Sequence, residues 1–277
     1  MPPHLQYNRF VIHGYRPHGP DHGIAAAFAS LFYWHNETGN ILTHLLGAVV
    51  CAYWLVSEPP SPPLPHYWAV RLADTGSLIC FCGSFAYHTF MSATPTRAEY
   101  AALLSADLCG VMLAGLTSCL AVGWLSLPCA SLSFVLGVAL VPSLVALVWT
   151  VAIARTAAER VLGAGLQLVT RVAIVCGGSA TGATLWPQHL IAATLGIEAM
   201  AIIGGLVGAA RIPERWAPGA PAFTYVFQSH TLMHCAALAA LLAQHGLWSQ
   251  LCALLAADEG RLACADTRAA EVFGASY

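Results

Sequence analysis

Seven apolar runs separated by short polar breaks organise the chain. Each is about 20 residues, enough for a helix to cross a bilayer. They cover roughly 39–57, 70–91, 101–123, 130–153, 164–186, 189–209 and 228–249. The third and fourth are the cleanest. The fifth is the weakest, because it holds Gln167, Arg171 and the loose stretch GGSATG, and the sixth holds Glu198. The breaks are short: PTRAEY, WLSLPC, ARTAAER and RIPERWAPGAPAFTY. The pattern predicts an all-α membrane protein, a seven-transmembrane helix bundle. Residues 1–38 form a short polar and aromatic amino-terminal segment, 39–250 the membrane domain, and 251–277 a polar tail expected to be disordered. No repeat or low-complexity segment interrupts this plan. The first 38 residues lack the charged start and apolar stretch of a signal peptide, so the first run is expected to stay as an anchor.

Composition agrees. Hydrophobic types make up 58% of the 277 residues and charged types 9%, against roughly 25% charged in a soluble domain. A soluble surface cannot be covered with so few charges. Net charge is −2 with no basic face, which argues against nucleic-acid binding. All 11 basic residues are Arg, so there is no lysine for a Schiff base or a P-loop. The 10 Cys lie mostly inside apolar runs and form no CxxC, so buried free thiols are expected rather than a disulfide framework.

Arginine placement sets the orientation. With the amino end cytosolic, the cytosolic segments hold Arg9, Arg16, Arg97, Arg155, Arg160, Arg211 and Arg215. The opposite side holds Arg71, Arg261 and Arg268. The amino end is therefore expected inside and the carboxyl end in the lumen or outside the cell.

Polar groups inside membrane runs are expensive, and four stand out. His88 lies near the end of the second run, in SFAYHTFM. Asp107 lies near the start of the third, in SADLCG. His230 and His234 lie near the start of the seventh, in FQSHTLMH. An even-numbered span ends at the cytosol and an odd-numbered one begins there, so seven spans put all four in one leaflet. His230 and His234 are spaced i, i+4 and share a helical face, which suits two imidazoles on one zinc ion. His88 would add a third nitrogen, and three protein ligands leave an open position, the catalytic pattern. Asp107 is at the level to deprotonate a water. Ser84, one turn before His88, could orient a ligand or donate to a developing oxyanion. The plain alternative is that the HxxxH pair is hydrogen-bonding glue between helices and that Asp107 is a helix-start cap.

Two further polar sets have bland readings. Arg171 and Glu198 are expected to form a buried ion pair, the rival reading being a proton or substrate path. In FYWHNETGNILTH, the groups His35, Asn36, Glu37, Asn40 and His44 are expected to lock the start of the first span, the rival reading being a lid near the metal. Trp216 and the arginines of RIPERWAPG suit an interfacial turn.

Taken together, HNETGNILTHLLG, SFAYH, DLCG, RIPERWAPG and FQSHTLMH resemble the progestin and adipoQ receptor family, in order and spacing from residue 4 to about 240. The resemblance implies seven helices and a zinc ion near the cytosolic side, with His88, His230 and His234 as ligands. It also implies Asp107 at the water with Ser84 beside it. The family is similar in its motifs to alkaline ceramidases. The expected activity is thus a zinc-dependent intramembrane amidohydrolase acting on a membrane lipid, ceramide or a related sphingolipid, and releasing a fatty acid and a sphingoid base. The rival is a membrane receptor or lipid-binding signalling scaffold with a structural zinc. The long cytosolic extension of the adiponectin receptors is missing, which argues against adiponectin as ligand. A homo-oligomer is left open, as is the compartment: Golgi, endoplasmic reticulum or plasma membrane. No HDEL-type signal ends the chain.

Overall fold

The structure, a computed structural model, describes residues 2, 5–18, 22–57, 64–184 and 186–274. Met1, Pro3 and His4 of the amino-terminal segment, and the chain end 275–277 read above for a retention signal, lie outside the described residues.

Ten helices occur among the described residues besides the 3-10 turns Ser30–Phe32 and Met91–Ala93, and no strand does. They are α1 (Ile24–Ala29), α2 (Thr38–Val56), α3 (Trp68–Phe90), α4 (Arg97–Ser126) and α5 (Leu132–Ile153). There follow α6 (Ala157–Thr181), α7 (Gln188–Ala210), α8 (Pro221–Tyr225), α9 (Ser229–Ala256) and α10 (Glu259–Phe273). Within α5, Leu136–Leu140 and Trp149–Ile153 are wound as π turns.

Among the described residues, six helices are long and apolar enough to cross a membrane: α2, α4, α5, α6, α7 and α9. This meets six of the seven spans expected. The seventh long helix is α3, with 23 residues, and its sequence carries Arg71, Asp74, Ser77, Ser84 and His88. The weak span is therefore the second run, not the fifth. The fifth run also sits earlier than its apolar stretch. A capping box starts α6: the Thr156 hydroxyl accepts from the Glu159 N–H, and the Glu159 carboxylate accepts from the Thr156 N–H. It runs through Gly177 and Gly178 and stops at Gly182, whose φ of +70° is the left-handed C-cap conformation.

The chain divides into two compact units. One comprises Met1–Val50, Ile79–Gly110 and Ala199–Ala240; the other comprises Cys51–Leu78, Val111–Glu198 and Leu241–Tyr277. The second unit shows how polar groups are accommodated in apolar helices. Arg71 donates to the carbonyls of Leu55 and Ser57, satisfying the open end of α2. The Gln167 amide donates to the Met112 carbonyl at 2.9 Å. Gly115 makes room for it, since a β-carbon there would fall on the Gln167 amide. Arg171 and Glu198 form the expected ion pair, bidentate at 2.5 and 2.7 Å.

Two expectations need correction in this unit. Cys129 and Cys264 form a disulfide, whereas buried thiols rather than disulfides had been the expectation; the remaining eight cysteines are not disulfide-bonded. Bridging needs proximity in space, and these two are 135 residues apart. The tail is also not disordered. Residues 259–273 form α10, capped by the Asp258 carboxylate. Arg268 of this helix donates to the carbonyls of Trp124 and Leu127 at the end of α4, at 2.7 and 2.6 Å, and lies 4.1 Å over the Trp124 ring.

Candidate metal centre

The first unit carries the chemistry. Close backbone approach positions it. A β-carbon on Gly110 of α4 would lie 3.0 Å from the α-carbon of Cys80, and one on Gly39 of α2 would lie 2.8 Å from the Val226 carbonyl and the Thr231 hydroxyl. Glycine therefore lets α4 touch α3, and lets α2 touch the start of α9. Those two contacts bring Ser84 beside Asp107, and His44 beside His234.

Three histidines from three helices converge: His44 of α2, His88 of α3 and His234 of α9. One ring nitrogen from each lies within 4.8 Å of the others, and all three residues are buried. The Nε2 atoms of His44 and His234 are 3.2 Å apart. The rings of His44 and His88 stack at 5.5 Å with 13° between planes. His230 lies alongside, its ring 4.4 Å from that of His234 and 5.2 Å from that of His88. The Ser84 hydroxyl donates a short hydrogen bond to the Asp107 carboxylate, and both are buried.

Glu37 orders this cluster. Its Oε1 accepts from the Tyr7 hydroxyl at 2.9 Å and the Asn36 amide at 2.8 Å. Its Oε2 accepts from the Asn40 amide and faces His88 Nδ1, each at 2.8 Å. Burial pushes this carboxyl up, but the hydrogen bond and charge of His88, with Arg16 and Asn40, hold it down at about 2. An ionised carboxylate only accepts, so His88 Nδ1 donates the hydrogen of this bond, and in a neutral ring the lone pair is then on Nε2. This carboxylate–imidazole arrangement supports many metal-ligating histidines.

The amino-terminal segment closes over the same region. Arg16 donates to the carbonyls of His88 and Thr89, both at 2.6 Å. The Tyr7 ring is 5.7 Å from that of His230. Asn8 donates to Glu214 at 2.7 Å, and Glu214 also accepts from the Ser229 N–H, fixing the first turn of α9 just before His230. Burial, chiefly, lowers His35 from 6.5 to about 4; its Nδ1 accepts from the Glu37 N–H at 3.1 Å.

The structure thus gathers His88, His230 and His234 at one place, and pairs Ser84 with Asp107. The nitrogens that converge most closely, however, come from His44, His88 and His234. His44 and Glu37 had been read as groups that lock a helix start. The missed signal is their spacing: 37 and 44 are seven apart, two helical turns, on the face that also holds Asn40. Glu214 had no signal beyond its place in RIPERWAPG. The donor set fits a divalent transition metal. It offers several buried imidazoles, one oriented by a carboxylate, and His44 Nδ1 is buried without a hydrogen-bond partner.

Comparison with known proteins adds an independent line. A family profile described as haemolysin-III related matches residues 32–245. Progestin and adipoQ receptor family member 4 of Homo sapiens is 34% identical over 254 residues, covering 88% of each chain. The Mus musculus protein of the same name is 32% identical over 260 residues, again covering 88% of each. The adiponectin receptor protein of Drosophila melanogaster is 30% identical over 260 residues, covering 89% of this chain and 57% of its own length.

Proposed function

The chain belongs to the haemolysin-III-related, progestin and adipoQ receptor family, and from that premise we propose that it is a zinc-dependent intramembrane amidohydrolase acting on ceramide or a related sphingolipid. The observation that carries the reading is the histidine cluster of α2, α3 and α9, together with a buried Ser84–Asp107 pair one turn from His88. In this reading His88, His230 and His234 hold the zinc, with Asp107 nearby to handle protons. When bound there, zinc supplies Lewis acidity, polarising an amide carbonyl and acidifying a water. Asp107 accepts the proton of the attacking water and delivers it to the departing amine. Ser84 commits its proton to Asp107 and so acts first to aim that carboxylate. Glu37 holds the His88 ring in register.

A lipid substrate is supported by a cleft of about 470 Å³ in the same unit, lined by Phe32, Trp34, Thr38, Leu42, Leu45 and Phe85, among others. Leu42 and Leu45 are exposed on α2, facing where acyl chains would lie, and Phe85 follows Ser84 directly. Phe85 is the cleft's contact with α3, the helix that carries Ser84 and His88.

We also propose that α3 is a seventh span, with the amino end cytosolic and the carboxyl end lumenal or extracellular. The arginine asymmetry supports this, and so does the Cys129–Cys264 disulfide, which would place the turn after α4 and the helix α10 on an oxidising side.

The rival reading, a receptor or lipid-binding scaffold, draws on the relatives' names. Both are tested by fatty-acid release from a long-chain ceramide in mild detergent. Release by the wild type, abolished by Asp107→Asn and His234→Ala in folded protein, is the expected result. Absence of release by a metal-loaded wild type would favour the scaffold.

A further inference from the structure

The loop between α7 and α9 carries charge and apolar surface that neither the histidine cluster nor the lipid cleft uses. It runs between two helices long and apolar enough to cross a membrane, since α7 ends at Ala210 and α9 begins at Ser229. The loop therefore lies where lipid headgroups begin. Part of the amino-terminal segment is joined to it. The Phe10 carbonyl accepts from the Gly219 N–H at 3.2 Å, and His13 Nε2 meets the Gly219 carbonyl at 2.6 Å. Gly219 permits the approach: its φ is +75°, and a β-carbon there would fall 2.7 Å from Ile12 Cδ1. Residues 9–13 and the loop thus share one surface.

That surface has uncompensated positive charge. Residues 5–18 and 207–228 hold Arg9, Arg16, Arg211 and Arg215 against a single carboxylate, Glu214. Glu214 is buried and accepts from Asn8 and Ser229. Arg16 is buried and donates to backbone carbonyls. Arg9, Arg211 and Arg215 take part in no ion pair among the described residues.

One of the three is held against the preference of its backbone. The Arg211 N–H returns to the Gly208 carbonyl and the Ile212 N–H to the Val207 carbonyl, a Schellman end to α7. Arg211 fills its left-handed position at φ +55°, where glycine is the usual residue and any side chain adds strain. The Arg215 N–H donates to the Arg211 carbonyl at 2.9 Å, so both guanidinium groups spring from one turn.

Apolar side chains flank this charge. Trp216, next to Arg215, is 74% exposed, and Ile12 is 64% exposed. Indole at the end of a span suits the boundary between headgroups and acyl chains. Guanidinium groups suit phosphate oxygens, which they meet with paired N–H donors. A phospholipid supplies both halves of the match, whereas a soluble anion supplies one.

We propose that Arg9, Arg211 and Arg215, with Trp216 and Ile12, form a binding site for an anionic phospholipid in the leaflet where α7 ends. The guanidinium groups take its phosphate, and the indole and Ile12 meet its glycerol and upper acyl region. In the orientation proposed above this is the cytosolic leaflet, the one richer in anionic lipid.

The test uses the full-length protein in mild detergent, titrated with phosphatidic acid and, separately, with phosphatidylcholine, inorganic phosphate and a polyglutamate peptide. Thermal melting reads the binding. It needs neither turnover nor metal, so its outcome is independent of the amidohydrolase reading. Phosphatidic acid is expected to raise the melting temperature of the wild type, less so at raised salt, and phosphatidylcholine is not. Arg9→Gln with Arg215→Gln should lose about fivefold in apparent affinity for each arginine removed. Arg211→Gly should lose affinity likewise, yet melt no lower than the wild type without lipid, because glycine suits that backbone. Arg155→Gln, in another loop, should keep the wild-type affinity. An equal response to phosphatidylcholine, inorganic phosphate or polyglutamate overturns the proposal. So does undiminished affinity in the Arg9→Gln, Arg215→Gln variant, or an equal loss per arginine in Arg155→Gln.

Discussion

Glu37→Gln is the most informative single change outside the histidines. The side chain keeps its shape and loses one acceptor oxygen. In the native protein four donors converge on the carboxylate: Tyr7 and Asn36 on Oε1, and Asn40 and His88 on Oε2, all at 2.8–2.9 Å. Glutamine can keep its oxygen toward only one of these pairs. Its NH2 then faces two donors in a region where Glu37 is 1% exposed. Tyr7 can rotate its hydroxyl to accept, but the Asn and His88 donors gain nothing from such a turn. Each buried donor left unpaired costs about 1–3 kcal/mol. The variant should lose roughly 2–4 kcal/mol of stability, since one or two donors are stranded and a charge-assisted bond is lost. Because His88 is no longer held by a carboxylate, zinc affinity should fall about 10–100-fold. Competitive chelator titration reads the affinity, and thermal unfolding in the same detergent reads the stability. Zinc affinity equal to wild type would refute the claim that Glu37 orients His88. Unchanged melting would refute the count of satisfied donors.

Three other outcomes follow from the same contacts. Gly110→Ala sets a β-carbon 3.0 Å from a backbone atom of Cys80 and should cost about 1–3 kcal/mol, disturbing the Ser84–Asp107 pair, whereas Gly165→Ala meets nothing within 4 Å and should stay within about 0.5 kcal/mol of wild type on thermal melting. Arg171→Met strands Glu198 in a buried site and should cost about 3–5 kcal/mol, while Arg171→Met with Glu198→Leu should recover most of it; a double variant no more stable than the single one contradicts the pairing. His35 has its folded pKa depressed from 6.5 to about 4, so the neutral ring's contribution is present above pH 6.5 and is lost as pH falls toward 4. The drop is worth roughly 3 kcal/mol, and His35→Asn should flatten the stability profile across that window by about that amount; an identical slope in both proteins speaks against it.

Periodicity and cost explain what could be read in advance. Long apolar runs announce helices by themselves, and polar groups such as His88, Asp107, His230 and His234 are conspicuous inside them because burial there must be repaid. The ion pair of Arg171 and Glu198 was legible for the same reason. Other features depend on separations that spacing along the chain does not encode. Cys129 and Cys264 meet because α10 returns to the end of α4, held there by Arg268. His44 hid inside a segment whose polarity already had an explanation as a helix start. The α3 helix failed the apolarity expected of its run because Arg71, Asp74, Ser84 and His88 all have partners in the fold. Asp74, for one, faces His245 Nδ1 at 3.0 Å, with Trp54 stacked on that imidazole. The tail read as polar because α10 has one buried face, through Ala265, Arg268 and Ala269, and an exposed one.

The central claim is that the histidines form a metal centre, and metal content tests it most directly. Zinc per chain is measured in the purified protein in mild detergent, beside His88→Ala and His234→Ala. The account predicts close to one zinc in the wild type and its loss from both variants while they remain helical and monodisperse. A folded wild type that takes up no zinc even when it is supplied would contradict it, and the imidazoles would then be hydrogen-bonding groups between helices.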